Sequence, residues 1–136
     1  MSAANTAAPA ASPPGVVQAG NGAYFFDLGT LQQIKAGEAY SSAFGGAVAG
    51  ERMMVALLRM PKGTGSDPHS HPNEQWIYLL EGNMDFVIDG QSRTAKAGSV
   101  IYIPANAIHN ARVASDEDCV FFTVKDTSHG LVGTKA

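Results

Sequence analysis

The sequence predicts an all-β domain, either a sandwich or a barrel, from three observations. After residue 60, short apolar runs recur about every 8–12 residues and end at turn residues, which is typical of such folds. The 136 residues include 15 glycines and 7 prolines, which suits a chain with many tight turns. No long amphipathic helix pattern and no internal repeat is visible. A chain of this length fits one domain.

The predicted strands become regular towards the C-terminus. In the first half, residues 24–27 form a short aromatic strand, residues 31–34 are ambiguous, and residues 40–49 form an irregular strand. Residues 51–60 are long enough for a helix, but their β-rich surroundings and the stop at Pro61 favour a buried strand. The remaining predicted strands span residues 75–81, 84–89, 92–97, 99–103, 107–113 and 119–125.

Composition divides the chain into an arm, a barrel and a tail. Residues 1–20 are rich in Ala, Pro and Ser and carry no charge, so we expect a flexible arm, or one that packs on a partner subunit. The barrel is expected over residues 21–126 and a tail over residues 127–136.

Charge and hydropathy exclude several classes of partner. The net charge is −3 and no run of Lys or Arg occurs, so we expect no nucleic-acid and no membrane partner. No apolar stretch approaches a membrane span, and the N-terminus lacks the basic and apolar parts of a signal peptide, so a cytoplasmic location is expected. Cys119 is the single cysteine, so it cannot form an intramolecular disulfide, and it is predicted to be a small core residue.

Three of the four histidines are candidate metal ligands. His69 and His71 are separated by one residue, and on a strand such residues point to the same face. His109 lies on a later predicted strand, just after a turn at Pro104. With an oxygen donor, three imidazoles suit one divalent transition metal ion: Fe, Mn, Ni, Cu or Zn.

Strand alternation also selects the oxygen donor. Gln75 has the same parity as His71, whereas Glu74 has the opposite parity and should point away. The amide, rather than the more usual carboxylate, is therefore the predicted fourth ligand, unless Pro72 introduces a bulge.

The spacing of these residues resembles the first sequence motif of the cupins. That motif is Gly, five residues, His-x-His, three or four residues, Glu, six residues and Gly. Gly63, His69, His71 and Gly82 match it, with Gln75 at the Glu position.

A second stretch resembles the other cupin motif: Gly, five residues, Pro-x-Gly, two residues, His, and a later Asn. Gly98, Pro104 and His109 match it. Asn106 replaces the second Gly and Val113 the late Asn. The Gly is expected to serve a positive-φ turn, a conformation that Asn tolerates best among other residues.

The resemblance implies a small jelly-roll β-barrel, usually dimeric, with one metal ion inside. By this resemblance, His69, His71 and His109 are ligands and Gln75 takes the place of the Glu ligand. The stretch from His69 to Gln75 is particularly similar to small cupins that carry a Gln ligand, such as the KdgF-like proteins, which act on unsaturated uronates.

A neutral Gln leaves the full positive charge on the metal, which favours Lewis-acid chemistry over redox chemistry. The predicted function is therefore a metal-dependent isomerase, lyase or cyclase acting on a small oxygen-rich metabolite, such as an enol, a ketone or a uronate. One alternative is an Fe(II)-dependent dioxygenase, and another is a non-catalytic cupin that binds a ligand or a metal.

The sequence names no clear general base. His129, Arg59, Tyr40 and Tyr102 are weak candidates for catalytic or substrate-facing residues. Trp76 has the opposite parity to Gln75, so it should face out of the barrel. Together with the apolar strands, this outward tryptophan favours a homodimer.

Overall fold

The computed structural model describes residues 15–136, which form an all-β fold. Most of the expected flexible arm, residues 1–14, lies outside the described part. Within that part, no helix is long and apolar enough to cross a membrane. The strands are, in chain order, β1 Val17–Gln18, β2 Ile34–Lys35, β3 Phe44–Ala49, β4 Met53–Met60, β5 Gly65–Ser70, β6 Gln75–Glu81, β7 Asn83–Ile88, β8 Gln91–Lys96, β9 Val100–Ile103, β10 His109–Val113, β11 Cys119–Asp126 and β12 Thr134–Lys135.

The strands form two sheets, as expected of a jelly roll. One sheet has the order β1-β3-β4-β11-β6-β9, with β2 also paired to β3, and the other has the order β12-β5-β10-β7-β8. The pairing of β1 with β3 is parallel and the other strand pairs are antiparallel. Side chains from both sheets form one hydrophobic core. The chain thus encloses an interior in which residues from both sheets can meet.

Alternation of buried and exposed residues explains most of the strands. In β6, Gln75, Ile77 and Leu79 face inwards while Trp76 and Tyr78 are exposed. The ambiguous apolar run before Pro61 forms strand β4 rather than a helix, because it pairs on both sides with β3 and β11. Cys119 is buried at the start of β11, as predicted.

The predicted aromatic strand over residues 24–27 is wrong. Asn21 and Gly22 adopt positive φ in a turn that is closed by two hydrogen bonds between Gly20 and Ala23. The chain then runs on without pairing to a sheet, and Phe25 is 94% exposed. Aromatic residues favour a strand only where a neighbouring strand is available to pair with them.

Strand pairing extends further at both ends than the sequence predicted. Val17 pairs with Val48 before the expected start of the barrel at residue 21. In the expected tail, Thr134 and Lys135 of β12 pair with Ser70 and His69 of β5. The C-terminal residues therefore lie against the strand that carries the first histidine.

Candidate metal centre

Three buried histidines converge inside the barrel. His69 lies near the end of β5, His71 follows that strand directly, and His109 begins β10. His69 and His109 are directly opposite each other in the pairing of β5 with β10, and their ring centroids are 4.2 Å apart. One ring nitrogen from each of the three lies within 4.8 Å of the others. These three side chains can hold a metal ion.

Backbone carbonyls fix the tautomer of each histidine. The Nδ1 atoms of His69, His71 and His109 lie 2.7, 2.8 and 2.9 Å from the carbonyl oxygens of Asp67, Asn73 and Ala107, respectively. A carbonyl oxygen only accepts hydrogen bonds, so each Nδ1 carries the proton and donates it. Each Nε2 is left with a free lone pair, which is the state that a metal ligand requires.

Gln75 lies beside the histidines, and its amide is oriented by Thr123. The Nε2 of Gln75 donates to the Thr123 hydroxyl at 2.7 Å, and that hydroxyl donates to the Trp76 carbonyl at 3.0 Å. This chain of bonds turns Gln75 Oε1 towards His71 Nε2, at 3.0 Å. Glu74 is exposed and points away, as predicted.

Gln75 faces inwards like the two histidines, although a bend separates it from β5. The chain bends at residues 72 and 73, between the end of β5 and the start of β6, but buried and less buried side chains still alternate from His69 to Gln75. Gln75 faces inwards because it begins β6, where it pairs with Lys125 of β11 and Ile103 of β9.

The facing lone pairs of His71 and Gln75 fit a bound cation. Burial, with a smaller effect of the Lys125 charge, lowers the pKa of His71 to about 4, and burial lowers the pKa of His69 to about 4 as well. Burial also lowers the pKa of His109. At neutral pH, therefore, no proton lies between His71 Nε2 and Gln75 Oε1 to relieve the repulsion of their lone pairs. A metal ion bound by the three imidazoles and the amide would accept both lone pairs.

Of the four weak catalytic candidates, only Tyr40 is at the site. Its buried ring stacks on His69 with a centroid distance of 4.0 Å, and its hydroxyl accepts a hydrogen bond from Gly133 N at 2.7 Å. Burial raises the pKa of that hydroxyl, so it is protonated at neutral pH.

The other three candidates lie on the surface. His129 is exposed beside the Ser128 hydroxyl. Arg59 forms an exposed ion pair of 3.2 Å with Asp118, and Tyr102 packs on Trp76 outside the barrel. Their positions on outward faces of strands or on a surface turn explain why they do not reach the histidines.

Sequence reasoning missed Thr123 and Lys125, both on β11. The buried face of this strand carries Cys119, Phe121, Thr123 and Lys125. The sequence did contain a signal for them. Thr123 and Lys125 continue the series of every second residue that begins at Cys119, so they share one face of the strand with it. The sequence did not reveal which face of this strand was buried.

The family of this chain follows from its sequence as well as its fold. The family model for the cupin domain matches residues 56–125, just over half of the chain, and this range includes the three histidines and Gln75. The chain belongs to the cupin family. This cupin is also 37% identical over 68 residues to the nitrosourea synthase of Streptomyces achromogenes subsp. streptozoticus. That stretch is 49% of this cupin but only 14% of the synthase.

Solved structures of other cupins share the fold. KdgF from Halomonas sp. matches with a TM-score of 0.66 and 19% identity, over 78% of this chain and 94% of that protein. The polyketide cyclase RemF from Streptomyces resistomycificus matches with a TM-score of 0.64 and 18% identity, over 77% of this chain and 80% of the cyclase. At these identities the likeness establishes the fold of this cupin and leaves its reaction to be argued from the site.

Proposed function

We propose that this cupin is a metal-dependent enzyme that uses one divalent transition metal ion as a Lewis acid on a small oxygen-rich metabolite, such as an enol, a ketone or a uronate. The observation that carries the proposal is the donor set: three neutral imidazoles and a neutral amide, with no carboxylate among them. When bound, the metal would polarise a carbonyl or lower the pKa of a hydroxyl group, because neutral ligands leave its positive charge undiminished.

The protein's own residues orient the ligands and surround them with a small cavity. Backbone carbonyls hold the three imidazoles in the ligating tautomer, and Thr123 holds the amide of Gln75. The surrounding cavity has a volume of about 60 Å³ and is lined mainly by apolar side chains, among them Leu58, Met84 and Phe121. Tyr40, whose hydroxyl is protonated at neutral pH, also lines this cavity.

The first test is metal binding. Wild-type protein is expected to contain about one equivalent of transition metal by elemental analysis, while the double variant His69→Ala, His71→Ala should contain none, because two of the three imidazoles are lost. His129→Ala is the matched control, since His129 is exposed and away from the site. A wild type that stays metal-free even after titration with Zn²⁺, Mn²⁺, Ni²⁺ and Fe²⁺ would overturn the proposal.

The second test separates Lewis-acid from oxygen chemistry. Metal-loaded protein is expected to accelerate the enolisation of pyruvate, a small probe with two chelating oxygens, without consuming oxygen. Gln75→Glu should slow this reaction by about tenfold or more while the metal content stays the same, because the carboxylate neutralises part of the metal's charge. Oxygen consumption that occurs with iron alone would favour the dioxygenase, and metal binding without either activity would favour a binding protein.

A further inference from the structure

Lys125 is a buried cation in the same cavity as the histidines. It lies on the inward face of β11, pairs with Gln75 of β6, and is only 5% exposed. It lines the cavity together with His69 and His109. Neither cupin motif includes it, because both motifs end before β11.

No carboxylate balances this lysine within residues 15–136. Its Nζ donates one hydrogen bond, at 2.6 Å, to the carbonyl oxygen of Leu131. The ion pairs found in the described part of the chain lie on the surface, at Lys35, Arg59 and Lys135. An ammonium group has three N–H donors, so two remain for another acceptor. A buried charge without a counter-charge is costly, so an ammonium group at this position favours a negatively charged neighbour.

Anchoring the C-terminal segment does not by itself explain a lysine at this position. A neutral donor could hold the Leu131 carbonyl without the cost of burying a charge. The charge of Lys125 also lies near the site, since its side chain lines the same cavity as His69 and His109. A metal ion bound by the histidines would repel this positive charge. An anion lying between the metal and Nζ would relieve that repulsion.

We propose that Lys125 binds the negatively charged oxygen of the substrate, and that the substrate is therefore a small carboxylate whose second oxygen faces the histidines. This inference rests on the proposed metal centre and narrows its substrate class. The cavity volume of about 60 Å³ corresponds to roughly four to six water positions, which suits a molecule of a few heavy atoms. Lys125 would select the charge of the ligand, while the apolar walls restrict its size.

The test compares an anionic ligand with a neutral molecule of the same shape. Co²⁺-loaded protein is titrated with oxalate and with oxamide, and binding is followed by the visible absorption of the bound cobalt. Lys125→Met is expected to weaken oxalate binding by at least about tenfold, and to change oxamide binding by less than about twofold, because only oxalate carries the charge that Lys125 recognises. Lys96→Met, which removes an exposed lysine of β8, should change neither.

A second variant separates charge from the anchoring of the C-terminal segment. Lys125→Gln keeps an N–H donor for the Leu131 carbonyl but removes the charge, so it should lose oxalate preference as Lys125→Met does. If only Lys125→Met loses the preference, Lys125 acts through the C-terminal segment and the inference is overturned. It is overturned equally if neither variant changes the ratio of the two affinities, or if the Co²⁺-loaded wild type does not bind oxalate.

The cobalt content of each protein keeps this inference distinct from the proposed function. If the wild type binds Co²⁺ but the Lys125 variants keep its preference for oxalate over oxamide, the proposed metal centre stands and only the carboxylate subsite is overturned. If the wild type does not bind Co²⁺, both proposals are overturned.

Discussion

At the scale of single residues, the site is organised by hydrogen bonds that the histidines make away from the centre. Each Nδ1 is held by a carbonyl two residues away along the chain, at Asp67, Asn73 or Ala107. These bonds fix both the tautomer and the ring orientation before any metal binds. Thr123 has the same role for Gln75, since it orients the amide and leaves Oε1 free.

Thr123→Val is expected to weaken metal affinity by about 10- to 100-fold, because the Gln75 amide loses the partner that orients it. Valine has nearly the same shape, so the barrel should remain folded. Isothermal titration with Zn²⁺ measures the affinity, and Thr94→Val, which changes an exposed hydroxyl bonded to Asp85, is the control. Equal affinities for all three proteins would show that the orientation of Gln75 does not matter.

The lowered pKa values of the histidines predict that the metal-free protein is less stable in acid. In the unfolded chain a histidine has a pKa near 6.5, whereas His69 and His71 have folded values of about 4. Between pH 4 and pH 6.5, therefore, the unfolded state binds more protons than the folded state does. The free energy of unfolding should therefore fall as the pH drops from about 6.5 to about 4, by up to about 1.4 kcal/mol per pH unit for each histidine.

Urea unfolding of the metal-free protein at several pH values between 4 and 8 measures this slope. The double variant His69→Ala, His71→Ala should show a much shallower dependence over the same range, since it lacks both groups. A wild-type stability that rises in acid would contradict the burial of neutral imidazoles.

At the scale of elements, strand pairing creates the site and the C-terminal segment covers it. The pairing of β5 with β10 sets His69 opposite His109, and the pairing of β6 with β11 sets Gln75 opposite Lys125. Residues 127–136 then return across this end of the barrel, where β12 pairs with β5. Asn73, which is fully buried, ties this segment down by donating to the carbonyl oxygens of Asp126 and Gly130, at 3.1 and 3.2 Å.

Asn73→Ala is expected to lower the free energy of unfolding by about 1–3 kcal/mol, because it leaves buried carbonyl oxygens without their donor. The C-terminal segment should also open more often, so chymotrypsin should cleave after Leu131 faster than in wild type. Asn110→Ala, a change on β10 at a half-buried side chain, is the control. Unchanged cleavage would show that β12 alone holds the segment.

The elements also show where sequence reasoning succeeded. The regular strands from residue 75 onwards were predicted nearly to their ends, because their alternation and turn residues are local properties. Asn106 adopts a φ of 66°, as its place in the second motif implied. The strand at Tyr24 was wrong and the pairing of β12 was missed, since both depend on whether a distant strand edge is free.

At the scale of the whole molecule, the outer face of the larger sheet carries an apolar strip. It runs along β6 and the edge strand β9, where Trp76 is 47% exposed and packs on Tyr102 at a centroid distance of 4.7 Å. Tyr78, Leu80 and Val100 continue the strip. A contiguous apolar patch beside an unpaired strand edge is usually covered by another protein surface.

We expect this cupin to form a homodimer through that strip. Analytical ultracentrifugation of the wild type should show a dimer, and Tyr102→Lys combined with Val100→Lys should shift it to a monomer by placing charges in the buried interface. Met53→Lys, at an exposed apolar residue of β4 outside the strip, should remain dimeric. A monomeric wild type at micromolar concentration would contradict the expectation.

The sequence by itself determined the family, the all-β class and the four residues around the candidate centre, because motif spacing and strand alternation are written along the chain. Only the tertiary structure decided which of the weak candidates reach the centre, placing Tyr40 against His69 and leaving Arg59 and Tyr102 outside. It alone brought Thr123 and Lys125 to the site. The physical reason is that a strand pattern shows which residues share a face, whereas the pairing of strands distant in sequence decides which face is buried and what it meets.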